Sequence, residues 1–156
     1  MWCVGHIMIF TMTSPYISII FVNYQSAQYL KRALESLFSY EHERNFFEVI
    51  VVNNDSSENE LLAALKKKFD FLLIESKKNA GFGAGNNLGF SYAKGEIISF
   101  INPDVLWVGT YLRAIVNFFD AYPTVGIVGM TLLDEQRRVE NWSAGQAPTL
   151  ESLFWN

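Results

Sequence analysis

The chain reads as an α/β domain of three layers, a mostly parallel sheet with helices on both faces. Three observations predict it. Short, almost wholly apolar runs recur at 17–22, 47–52, 71–74 and 97–101, and strands of that composition are buried on both sides. Between them lie segments whose apolar residues return every three or four positions, the period of a helix with one buried face. Three of the runs lead directly into asparagine, at Asn23, Asn53 and Asn102. Right-handed crossovers place all strand C-termini along one edge of such a sheet.

Each element has its own signal. The first strand, 17–22, is followed by Ser26, a cap residue, and by a helix with Leu30, Ala33, Leu34, Leu37 and Phe38 on one face. The second strand, 47–52, leads to Ser57 and Glu60, spaced as a capping box. That box opens a helix with Leu61, Leu62, Leu65 and Phe69 inward. A short third strand is expected at 71–74, then a glycine-rich turn, then a helix around 86–93. After the fourth strand at 97–101, Leu112, Ile115, Val116 and Phe119 mark a last amphipathic helix, which Pro123 closes from outside. A further strand is expected over 125–130 and a polar hairpin or loop over 131–142. No repeat or low-complexity run interrupts the pattern, so one domain is expected over 15–145. Residues 1–14 read as a loose arm or an over-called start, since Met8 and Met12 are alternative starts. Residues 146–156 read as a tail.

Composition removes several classes of function. Of 156 residues half are hydrophobic and 13 are Phe, which excludes a disordered chain. The net charge is −4 with no long basic run, which argues against nucleic acid as a partner. Cys3 is the only cysteine, excluding an intrachain disulfide and a cysteine-rich zinc site, and fitting a reducing, cytoplasmic setting. The apolar start, 1–10, lacks the positive flank of a signal peptide and falls short of the roughly 20 residues that span a bilayer. His6 and His42 share no ligand-like spacing with other residues.

Three segments carry chemistry. Asn102-Pro103-Asp104 follows the fourth strand, so it lies where open α/β sheets bind ligands. Proline fixes the turn and removes a donor, which leaves the Asp104 carboxylate presented as a hard oxygen ligand for Mg2+ or Mn2+. The same tripeptide is also an ordinary turn sequence. In Asn79-Ala80-Gly81-Phe82-Gly83-Ala84-Gly85-Asn86-Asn87, glycines allow close backbone approach and a helix N-terminus offers amides to an anion. It is not a dinucleotide fingerprint, because Asn86 stands at the third glycine position and the segment follows the third strand. Asn53, Asn54 and Asp55 crowd a strand end, able to bond a base or ribose or to cap the next helix.

Together these segments resemble the family 2 glycosyltransferases of the GT-A fold, and more narrowly their rhamnosyltransferase-like branch. The likeness rests on Ile17 to Tyr24, Phe47 to Ser57, Asn79 to Gly83 with Asn86, Phe100 to Asp104, and Val125 to Gly129, in order, over roughly residues 17–145. It implies a nucleotide-diphosphate sugar as donor, dTDP- or UDP-linked and rhamnose among the candidates. Asn23, Tyr24, Asn53 and Asn54 would lie near the base and ribose, and Asn79, Gly81, Phe82, Gly83 and Asn86 would line the same pocket. Asn102 and Asp104 stand at the family's Asp-x-Asp-type motif, with Asp104 as metal ligand. Two positions depart from the pattern: the family often has Asp where Asn53 stands, and Asn102 replaces the first carboxylate of the metal motif.

The implied reaction is inverting transfer to a saccharide or lipid-linked acceptor. It suits cell-surface polysaccharide synthesis, in the cytoplasm or peripherally at the inner face of the membrane, with a homo-oligomer left open. The resemblance places the catalytic base and acceptor pocket beyond this stretch. Glu135, Glu140 and Glu151 are available carboxylates that match no base motif, so no base is assigned and the acceptor half is expected to be missing. A noncatalytic nucleotide-sugar-binding module stays open, as does a nucleotidyltransferase. Against the latter, Asn23-Tyr24-Gln25-Ser26 stands where that class carries a glycine-rich, basic signature.

Overall fold

A computed structural model describes residues 15–76 and 78–139. The chain divides into two compact units, 1–118 and 119–156. The first carries the sheet: β1 (Ile17–Asn23), α1 (Ala27–Tyr40), β2 (Phe47–Asn53), α2 (Asn59–Lys68), β3 (Leu72–Glu75), α3 (Phe82–Phe90) and β4 (Ile97–Ile101). The last helix, α4 (Leu112–Ala121), begins there and runs across the boundary. All strands are parallel in the order β3-β2-β1-β4, with Ile17 beside Phe47 and Ile97, and Asn23 beside Asn53.

Side-chain alternation sorts the strands into two faces. Ile17, Ile19, Phe21, Phe47, Val49 and Val51 join Leu30, Leu34 and Leu37 of α1, Leu62 and Leu65 of α2 and Leu112 of α4 in the larger core. Ile20, Val22, Ile50, Val52 and Ile74 form the smaller core, with Leu88 of α3 packed against it. The division follows from handedness. The chain steps from β1 to β2 to β3 in one direction, so α1 and α2 fall on one face. It then reverses from β3 back past β1 to β4, and a right-handed crossover puts α3 on the other face. Because α1 leaves β1 towards β2 while β4 lies on the opposite side of β1, the crevice of this topology opens at their C-terminal ends.

Neither cap expected from the sequence forms. Ser26 sits at the N-cap of α1 without capping it, because its hydroxyl donates to Asn23 Oδ1. The capping acid is Glu58, from the short 3₁₀ turn Ser56–Glu58. That turn displaces the capping box: Ser57 lies within it, its amide held by Asp55 Oδ1, and α2 starts only at Asn59. The third helix starts earlier than expected, at Phe82 rather than around Asn86, so Gly83, Gly85 and Asn86 are helical. Packing overrides propensity there. A Cβ on Gly85 would stand 2.7 Å from Val22 Cγ1, and one on Gly89 2.6 Å from Ile20 Cγ2, so bare backbone lets α3 lie close on the sheet.

In the second unit the strand expected over 125–130 is not formed. Ile127 is 91 % exposed, and no neighbouring strand among the described residues takes its backbone bonds. The hairpin expected over 131–142 appears as an antiparallel bridge between Leu133 and Val139 around a turn in which Arg137 has φ 62°. Residues 1–14 and 140–156 lie outside the described residues, and with them Glu140, Glu151, the expected tail and the end of the expected hairpin.

Candidate functional site

Four loops meet at the C-terminal edge of the sheet and enclose an open cleft of about 650 Å³, within the usual range for small-molecule sites. After β1 come Tyr24, Ser26 and Tyr29; after β2, Asn54; after β3, Asn79, Gly81 and Phe82; after β4, Asn102, Pro103 and Asp104. Seven of the eleven residues expected at the site therefore line one cavity. Asp104 is the only charged side chain among the described residues that line it. Tyr24, Tyr29 and Phe82 are each about half exposed, a polar-tipped and apolar aromatic set beside a single carboxylate.

The cleft wall is held by local bonds. Asn79 Oδ1 accepts from the Gly81 amide, and the Gly81 carbonyl accepts from Asn54 Nδ2. Gly81 has φ 87°, a left-handed conformation that a side chain would strain. Asn54 is buried, and its Oδ1 has no hydrogen-bond partner among the described residues. The Asn102 carbonyl accepts from the Val105 amide, closing the turn that presents Asp104.

The other four expected residues lie elsewhere. Asn23 and Asn53 sit beneath the cleft, fully buried or nearly so, and their side chains bond protein. Asn23 Nδ2 donates to Asn53 Oδ1 and Glu58 Oε2; Asn53 Nδ2 donates to Asn59 Oδ1 and Glu75 Oε2. Asn86 is buried on the sheet side of α3, and Gly83 is exposed on that helix; neither lines the cleft. Sequence reasoning missed Tyr29 as a lining residue and Glu58 and Glu75 as partners of the asparagines. Tyr29 had a signal, an aromatic on the polar side of the stripe Leu30, Ala33, Leu34. The two glutamates had none, since their partners come from other strands.

Residues 18–155 match the family model described as glycosyl transferase family 2. The chain belongs to that family. Among its relatives, an uncharacterised glycosyltransferase of Nostoc sp. is 29 % identical over 138 residues, which are 86 % of this chain and 42 % of the relative. The minor teichoic acid biosynthesis protein GgaB of Bacillus subtilis is 30 % identical over 108 residues, 67 % of this chain and 12 % of that protein. The chain thus spans less than half the length of these curated relatives. In structure it is similar to the mannosyltransferase PcManGT of Pyrobaculum calidifontis in complex with GDP-Man and Mn2+, with TM-score 0.64 and 23 % identity over 72 % of this chain and 34 % of that one. It is also similar to S. aureus TarS 1-349 in complex with UDP-GlcNAc, with TM-score 0.59 and 27 % identity over 69 % and 32 %. The fold is the GT-A fold expected from the sequence.

The family implies a divalent cation, and the donor set here fits one of restricted kind. Among the described residues no three His, Cys, Asp or Glu side chains cluster as a metal cage. A lone exposed carboxylate in a roomy cleft instead suits Mg2+ or Mn2+ held by one or two carboxylates, water and a ligand's phosphates. No helix among the described residues is long and apolar enough to cross a membrane.

Proposed function

We propose that the cleft binds a nucleoside-diphosphate sugar, UDP- or dTDP-linked with rhamnose among the candidates, as the donor part of an inverting glycosyltransferase. The observation that carries the reading is Asp104, the one charged group among the described residues lining a cleft whose walls are mostly amide and aromatic side chains. GDP-Man with Mn2+ in the archaeal mannosyltransferase and UDP-GlcNAc in TarS support it by fold and likeness. Asp104 would hold the cation, which when bound neutralises charge on a departing diphosphate. The rings of Tyr24 and Phe82 offer flat faces to a base. The unmet Asn54 Oδ1 offers an acceptor to a ligand N–H, and a buried acceptor left unpaired is costly enough to favour one. The sugar acceptor is a saccharide or a lipid-linked molecule in cell-surface polysaccharide synthesis, a setting that the name of the teichoic acid relative supports.

Calorimetric titration of UDP, dTDP and GDP with and without Mn2+ tests the reading. UDP or dTDP should bind with metal, and Asp104→Ala should weaken that binding by about tenfold or more, close to the metal-free level of the wild type. Equal affinity of wild type and variant at every metal concentration would sink it.

A further inference from the structure

Beneath the cleft lies a residue that ends the polar segment after β2 and does not line the cavity: Glu58. Its carboxylate accepts from the Ser26 amide at 3.0 Å, the Ala27 amide at 3.2 Å and Asn23 Nδ2 at 2.9 Å. The two amides belong to the N-terminus of α1, where unpaired N–H groups need partners. That helix supplies none itself, since Ser26 makes no cap bond and the first turn holds no acid. The loop entering it is bent at Gln25, φ 51°, a left-handed conformation that costs any residue with a Cβ. Segment 23–27 therefore keeps its shape through a fastening from another element. The same loop and the first turn of α1 supply Tyr24, Ser26 and Tyr29 to the cleft.

We propose that Glu58 is a positioning residue for the donor site, fixing the rim that carries Tyr24 and Tyr29 through the α1 N-terminus and Asn23. The inference rests on the cleft being a nucleoside-diphosphate site. The carboxylate joins β1 and β2 loops across the sheet, and its charge matches both the two backbone donors and the positive end of the helix. Without it the rim is ordered only when ligand arrives, and binding bears that ordering cost. Affinity is then lost even where the rest of the fold is intact.

The test compares wild type, Glu58→Gln, Glu58→Ala and Glu60→Ala, a control on an exposed acid of α2. Three quantities are read: amide hydrogen exchange at Ser26 and Ala27, the thermal midpoint, and affinity for UDP and dTDP with Mn2+ well below that midpoint. Glu58→Ala should exchange at those amides about tenfold faster or more and bind nucleotide about tenfold more weakly. Glu58→Gln, which keeps one acceptor oxygen, should fall between, and Glu60→Ala should match wild type. Should Glu58→Ala fail to fold, Glu58→Gln carries the comparison. A lowered midpoint with unchanged affinity of the folded protein would overturn the positioning role and leave a plain helix cap. Failure of wild type to bind either nucleotide would defeat the donor-site reading itself. Binding by wild type, matched by both Glu58 variants, would defeat only the role of Glu58.

Discussion

At the scale of single residues, Asn23 and Asn53 at their strand ends are explained by the glutamates they face. Asn53 Nδ2 donates to Glu75 Oε2 at 2.9 Å and to Asn59 Oδ1 at 2.9 Å. An aspartate there would set a buried carboxylate against another acceptor. Asn53→Asp should therefore destabilise this chain by about 2–3 kcal/mol, and Glu75→Gln, which restores a donor, should return most of the loss in the double variant. Urea unfolding of the four proteins measures the coupling; additive effects would show that the two side chains act independently. Asp55 makes a second prediction. The Ser57 amide, followed by the Ser57 hydroxyl, holds the Asp55 carboxyl below the usual carboxylate range. A depressed folded value contributes stability above the unfolded value of about 3.9, lost as pH falls through the folded one. Asp55→Asn should thus flatten the fall in stability below about pH 4, without abolishing it, because Glu35, Glu43 and Asp134 are depressed too. A pH profile of unfolding parallel to wild type would show that Asp55 contributes nothing.

At the scale of elements, what could be read in advance was what each segment's own pattern determines. Four apolar runs became four parallel strands, and the stripe Leu30, Ala33, Leu34, Leu37 became the buried face of α1. Asp104 could be placed because a strand and a proline fix its position locally. What could not be read depends on partners far along the chain. Ser26 looks like a cap by type, yet Glu58 caps α1 from 31 residues on. Glycine-rich 81–89 looks like a turn by propensity, yet it is mostly helix, because Gly85 and Gly89 meet Val22 and Ile20. The run at 125–130 looks like a strand, but a strand needs a neighbour, and Ile127 stands in solvent. The packing account of α3 is testable. Gly89→Ala should cost about 1–3 kcal/mol by overpacking against Ile20, whereas Gly83→Ala meets nothing within 4 Å and should leave stability equal or slightly higher, since alanine favours a helix interior. Thermal unfolding separates them. Equal midpoints for both variants would mean that α3 does not lie on the sheet as closely as the glycines allow.

At the scale of the whole sheet, the two faces are unequally covered, and the reversal of chain direction that creates the cleft also causes this inequality. Stepping one way places α1 and α2 on one face, joined by the start of α4; among the described residues of the first unit, the return crossover leaves only α3 on the other. A single nine-residue helix lies over β1 and β2, and β4, the edge strand next to β1, receives little of it. Phe100 shows the consequence. It pairs in register with Ile20, so it shares the face of the smaller core, yet it is 51 % exposed. Phe90 and Tyr92, at the end of α3, are exposed as well. Large apolar side chains on an edge strand are a surface for self-association. We therefore expect the 156-residue chain to associate with rising concentration through this face. Phe100→Ser should reduce that association while leaving the thermal midpoint close to wild type, because a half-exposed ring contributes little to the core. Sedimentation velocity across a concentration series decides it. A wild type that stays monomeric throughout would show that Phe100 is tolerated in water, and a variant that associates as strongly as wild type would place the contact elsewhere on the molecule.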